Sequence, residues 1–165
     1  MQYNHKHFTS LIITLGITVS AYSTPYIIDT DLASDDTMAL AYLLQTQPQN
    51  ILAISIAGTG EVNCQKYGRK NLAKLLKYFH QEHIPYACGP VKPLAGAIKF
   101  PQAWRQQANE QFNLNLPDAK IQSKWPLNSA VNLILHTLKK SKKSVTFIEL
   151  APNTNLALEI GRAHV

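Results

Sequence analysis

Four carboxylates crowd one octapeptide, Asp29-Thr-Asp31-Leu-Ala-Ser-Asp35-Asp36, set between the apolar run Pro25-Tyr26-Ile27-Ile28 and the apolar segment that begins at Met38. Like charges at this spacing repel by several kcal/mol once water is excluded. A chain that gathers them therefore sets a cation against them or shifts a pKa for acid/base work. Carboxylate oxygens are hard donors, and the matching ions are Ca²⁺ and Mg²⁺. A purely structural account, in which Asp35 and Asp36 favour the dipole at a helix start, explains two of the four. It leaves Asp29 and Asp31, at the end of a strand, without a task.

The elements that must position this loop are legible as alternating apolar runs and helical patterns. Strands are predicted over 26–29, 51–57, 84–88 and 145–150, and helices over 36–45, 66–79 and 129–139. Asn153-Thr154-Asn155 caps the start of a further helix. Strands alternating with helices imply an α/β fold: an open, mostly parallel sheet with helices on both faces. The near-continuous apolar runs at 51–57 and 145–150 suit strands buried on both faces. Residues 89–126, rich in Pro, Gln and Asn, form a long loop with one short helix over 102–111, an insertion of the kind that lines substrate pockets. In such a sheet ligands bind at the carboxyl ends of the strands. The acidic loop, Ala57-Gly58-Thr59-Gly60-Glu61 and Ala151-Pro152-Asn153-Thr154-Asn155 all fall there, although Gly58 and Gly60 also suit ordinary turns.

With 16 Lys+Arg against 10 Asp+Glu the chain carries +6. The excess is scattered except at Lys139-Lys140-Ser-Lys142-Lys143, a solvated helix end, so no nucleic-acid polymer is expected as a partner. Residues 1–23 read as a signal peptide, with an apolar core over 11–19 and small residues Ala21 and Ser23 before the cleavage point. That core is too short for a stable membrane anchor, and an exported, periplasmic or secreted protein is expected. Cys64 and Cys88 are the only cysteines. They pair only if the fold brings them together, and no zinc spacing is present. At the other end, codons for Glu159 to Val165 followed by a stop can be written as a common sequencing adapter. Residues 160–165 are therefore expected to be a non-native tail, and 24–159 the amino-terminal part of a domain that is incomplete at its C-terminus.

The acidic octapeptide resembles the Asp-x-Asp-Pro-Gly-x-Asp-Asp signature of the inosine-uridine-preferring nucleoside hydrolase family, and more closely the branch with Asp-Thr-Asp-Met-Gly-Thr-Asp-Asp. Supporting similarities run in order along the chain. They are Ile54 to Glu61, Asn71-Leu-Ala-Lys-Leu-Leu76, Pro93-Leu-Ala-Gly96, Phe100-Pro-Gln-Ala-Trp104-Arg105 and Ile148 to Leu158. The resemblance implies hydrolysis of the N-glycosidic bond of a ribonucleoside to free base and ribose, with one Ca²⁺. It implies that Asp31 binds the metal and acts as base on its water, that Asp36 and the Leu150 backbone carbonyl bind the metal, and that Asp35 and Thr59 meet the ribose. It is also compatible with a homo-oligomer in the full-length form. Leu32-Ala33 replaces the family's Pro-Gly, and a positive φ at Ala33 would cost about 1 kcal/mol. The family's later Asp ligand, Asn and His acid have no counterpart, so the 165-residue chain alone is expected to be inactive.

Two other functions compete. A haloacid-dehalogenase-type phosphatase would use Asp29 as nucleophile and Asp31 as acid/base beside Mg²⁺. A non-catalytic exported protein would keep the nucleoside or ribose contacts without turnover. His80 and His83, at the end of a helix, are expected to be surface residues.

Overall fold

The computed structural model describes residues 24–96 and 100–163. The expected signal segment lies outside the described residues. Four strands, β1 (Tyr26–Thr30), β2 (Ile51–Ile56), β3 (Tyr86–Cys88) and β4 (Thr146–Glu149), form one parallel sheet in the order β3-β2-β1-β4. The helices are α1 (Ser34–Thr46), α2 (Arg69–Tyr78), α3 (Gln102–Asn109), α4 (Ala130–Lys140) and α5 (Thr154–Ala163). The α/β fold expected from the alternation is the one observed, and α5 runs through 160–163 of the expected tail. No helix among the described residues is long and apolar enough to cross a membrane.

Side chains that alternate along each strand split the core into two layers. Ile28, Ile54, Ile56 and Tyr86 pack with Leu40 and Leu44 of α1 and Leu72, Leu75 and Leu76 of α2. On the opposite face Ile27, Ala53 and Ala87 meet Ala130, Leu133 and Ile134 of α4. The small side chains at 53 and 87 let α4 lie close to the sheet. Both faces of the sheet are thereby covered, which explains the unbroken apolar runs of β1 and β2.

Two expectations need correction. β4 is not buried on both faces: Thr146 is exposed and Phe147, Ile148 and Glu149 are half-buried, because no helix packs on this edge strand as closely as α2 and α4 pack on the other edge strand, β3, which is buried throughout. The predicted helix over 66–79 opens instead as a π-helical turn, Cys64–Gly68, before α2 begins. Asn63 caps that turn by accepting the Lys66 N–H at 3.0 Å. Cys64 forms a disulfide with Cys88, both fully buried, tying the segment after β2 to the end of β3.

Candidate functional site

The chain adds β2 and β3 on one side of β1 and then returns to place β4 on the other. This reversal makes the carboxyl end of β1 the switch point of the sheet, where loops diverge and leave a crevice. The acidic loop occupies it. Asp31 and Asp36 are 5% and 4% exposed, so two of the loop's carboxylates are nearly removed from water.

Backbone N–H groups fix both. Asp31 Oδ1 accepts from Ala33 N at 3.0 Å, and Asp31 Oδ2 from Glu61 N at 3.0 Å. Asp36 Oδ2 accepts from Thr30 Oγ1 at 2.7 Å and from Asp31 N at 2.9 Å. Thr30 Oγ1 in turn accepts from Leu32 N at 3.0 Å, so one hydroxyl organises both ends of the turn. Burial pushes the Asp36 carboxyl up to about 7, against the lowering effect of these donors, with the charges of Asp31 and Asp35 adding to the rise. Asp35 is exposed on the first turn of α1. The left-handed residue of the loop is Leu32, at φ 57°, and not Ala33, which sits at φ −61°. The strain anticipated at Ala33 is therefore absent there, and the buried Leu32 side chain offsets the cost at its own position.

Asp29 is fully buried and carries no solvated charge. Its Oδ1 accepts from Ser55 Oγ and, at 2.8 Å, from Asn155 Nδ2. Burial, then the neighbouring Glu149 carboxyl, holds its pKa well above the usual carboxylate range. A nucleophile must reach a substrate, and this side chain is sealed under the loop. The phosphatase alternative, which needs Asp29 as nucleophile, is not favoured.

Beside the acidic loop a cavity of about 170 Å³ opens between the segments after β2 and β4, lined by Gly58, Thr59, Asn63, Val91, Pro93, Arg105, Pro152 and Thr154. Thr59 Oγ1 lies 3.1 Å from Thr154 Oγ1, which joins the two segments. Both glycines of the first segment are required by close approach. A Cβ at Gly60 would lie 2.0 Å from Asp31 Cβ, and one at Gly58 would lie 2.6 Å from the Gly89 carbonyl oxygen. Glu61, next in the chain, is pushed up by burial and by Asp31 and Asp35, with Arg105 opposing. Leu150 N donates to Asp29 O at 2.9 Å, which sets the Leu150 peptide at the same edge.

The structure thus gathers Asp31, Asp36, Thr59 and Leu150 at one end of the sheet, with Asp35 on the rim, while His80 and His83 are exposed elsewhere. Among the described residues no group of three or more His, Cys, Asp or Glu side chains is arranged to hold a metal ion. Sequence reading missed Ser55, Glu149 and Asn155 around Asp29, and the part played by Arg105. Asn155 stood in the Asn153-Thr154-Asn155 run read as a helix cap, and Ser55, Arg105 and Glu149 lay in segments that resemble the family without being given a role.

A carboxylate loop at the switch point of a parallel sheet, beside a small cavity of mixed polar and apolar lining, is the arrangement of open α/β folds, which take ligands at the carboxyl ends of their strands. The chain belongs to the inosine-uridine preferring nucleoside hydrolase family, whose model matches residues 26–164. It is 32% identical over 135 residues to the pyrimidine-specific ribonucleoside hydrolase RihA of Salmonella enteritidis, an alignment covering 81% of this chain and 42% of that protein. A RihA from a Shewanella species is 29% identical over 137 residues, covering 82% of this chain and 41% of the relative. Among solved structures, an inosine-guanosine nucleoside hydrolase superposes with a TM-score of 0.71 at 26% identity, over 84% of this chain and 43% of that one. A purine-preferring ribonucleoside hydrolase from Gardnerella vaginalis shares the fold, with a TM-score of 0.68 at 19% identity, over 85% of this chain and 44% of that one. The chain therefore spans less than half the length of the relatives it matches.

Proposed function

We propose that this chain supplies the metal-loop part of a ribonucleoside hydrolase that cleaves the N-glycosidic bond with the help of Ca²⁺. The observation that carries the reading is the pair Asp31 and Asp36, buried and braced by backbone donors at the switch point of a family fold. The donor set suits a hard cation: Asp31, Asp36 and the Leu150 carbonyl offer only oxygen. Ca²⁺, when bound, supplies positive charge that eases ionisation of water and neutralises the crowded carboxylates.

Asp31 takes the proton as a water oxygen forms its bond to the anomeric carbon. The carbon–nitrogen bond breaks with its electron pair passing to the base, which leaves as its anion and takes up a proton from solvent water. Asp35, on the rim, accepts hydrogen bonds from ribose hydroxyls, and Thr59 meets the sugar from the cavity side. The anionic loop stabilises the positive charge that grows on the ribose ring.

The test uses a version extended to the length of its relatives, with saturating Ca²⁺ and free base followed by absorbance. Asp31→Asn should abolish turnover of inosine and uridine, and undiminished turnover would sink the proposal. Three donor groups fall short of the six to eight oxygens Ca²⁺ takes, so the 165-residue chain alone binds it weakly and turns nothing over.

A further inference from the structure

Arg105 and Asp31 hold opposite ends of one peptide group. The Gly60–Glu61 peptide presents its carbonyl oxygen to Arg105 Nη1, at 2.9 Å, and its N–H to Asp31 Oδ2, at 3.0 Å. Gly60 is buried, and its missing side chain is what lets that peptide approach, since a Cβ there would lie 2.0 Å from Asp31 Cβ. A guanidinium on the carbonyl draws electron density through the amide, so the N–H becomes a stronger donor. Arg105 is the one side chain that the helix of the 89–126 insertion extends both to this peptide and into the cavity wall. A second bond from the same insertion, Asn63 N to Asn109 Oδ1 at 2.8 Å, anchors α3 to the segment without touching the Gly60–Glu61 peptide.

We propose that Arg105 is a positioning residue for Asp31: through the Gly60–Glu61 peptide it fixes the plane of the Asp31 carboxylate and so couples the α3 insertion to the metal loop. The inference rests on the role given to Asp31 above. It assigns the insertion a duty beyond lining the pocket, because any displacement of α3 is felt at Asp31 through two hydrogen bonds.

The experiment is nuclear magnetic resonance on the ¹⁵N-labelled chain, which reads weak binding directly. In metal-free protein Arg105→Met should move the Glu61 amide proton upfield and speed its exchange with solvent, and Arg105→Lys should recover most of both. Titrated with Ca²⁺ alone, Arg105→Met should bind about tenfold more weakly, the scale of losing a partner that orients a metal ligand. Asn109→Ala removes the bond to Asn63 N while Asn71 still holds the end of α3 and Arg105 still holds the Gly60 carbonyl, so it should leave the Glu61 amide and the Ca²⁺ affinity unchanged. If Asn109→Ala matches Arg105→Met in both readouts, or Arg105→Met leaves both unchanged, the positioning role is overturned. Asp31→Asn binding Ca²⁺ like the unaltered chain would instead overturn the functional reading beneath it.

Discussion

Asp29 and Glu149 stand at the same level on neighbouring parallel strands, and each ends in a buried carboxyl oxygen that no donor among the described residues reaches. Two ionised carboxylates cannot satisfy one another. A proton on Asp29 turns its Oδ2 into a donor towards Glu149 Oε2 and accounts for both orphans at once, in keeping with the upward push that burial and Glu149 give to Asp29.

Asp29→Asn is therefore expected to fold as well as the unaltered chain, because an amide in that place donates to Glu149 while its oxygen still accepts from Ser55 and Asn155. Asp29→Ala leaves three buried polar groups short of a partner and should cost about 2–4 kcal/mol. The pH dependence separates the two forms. The folded pair holds a proton that the unfolded chain releases at ordinary carboxylate pH, so stability falls as pH rises above that range towards the raised folded value. Asp29→Asn should flatten this fall in urea melts between pH 4 and pH 8. An undiminished slope would show that the pair shares no proton.

These relationships mark the limit of what the sequence discloses. β1 and β2 were legible because strands covered on both faces need unbroken apolar runs, and Asp29 to Asp36 because four carboxylates in eight residues are costly without a purpose. β4 read as a central strand, since Val145 to Leu150 is apolar apart from Thr146 and Glu149, but the helices cover this edge less closely than they cover β3 and leave it half-buried. Asn155 reaches Asp29 across a separation of 126 residues, and Arg105 reaches Gly60 across 45. No local pattern encodes contacts of that range. The π-helical turn was hidden because its residues fit helical spacing equally well, and the disulfide because two cysteines have no intrinsic reason to meet.

Thr30 carries the next prediction. Its hydroxyl donates to Asp36 Oδ2 and accepts from Leu32 N, so Thr30→Val, which keeps the shape, should cost about 1–3 kcal/mol. The Asp36 carboxyl rises from an ordinary 3.8 to about 7 on folding, and the Thr30 donor restrains that rise. A raised folded pKa means that stability is fully present below the unfolded value and is lost as pH climbs through the folded one. Ca²⁺ prefers the ionised form and should reverse the loss. Added Ca²⁺ is thus expected to raise the melting temperature more at pH 8 than at pH 5, and Thr30→Val to move the onset of that gain to higher pH. Equal gains at the two pH values would separate Asp36 from the metal.

The last prediction concerns Cys64 and Cys88. Their bond closes a loop across 24 residues of sequence and joins the segment that follows Gly60 and Glu61 to the end of β3 at Cys88. By loop entropy alone it should contribute about 3 kcal/mol, and both sulfurs are buried, so reductant should act only as the chain opens. Such bonds persist outside the reducing cytoplasm, which supports the proposal that the protein is exported after its first 23 residues. Mass spectrometry of the protein taken from its native extracytoplasmic fraction should find an amino terminus at Thr24 or Tyr22 and no alkylatable thiol under denaturing conditions until reductant is added. The double variant Cys64→Ala, Cys88→Ala should melt at lower temperature. Two free thiols on a chain that retains Met1 would place the protein in the cytoplasm and remove the disulfide from its native form.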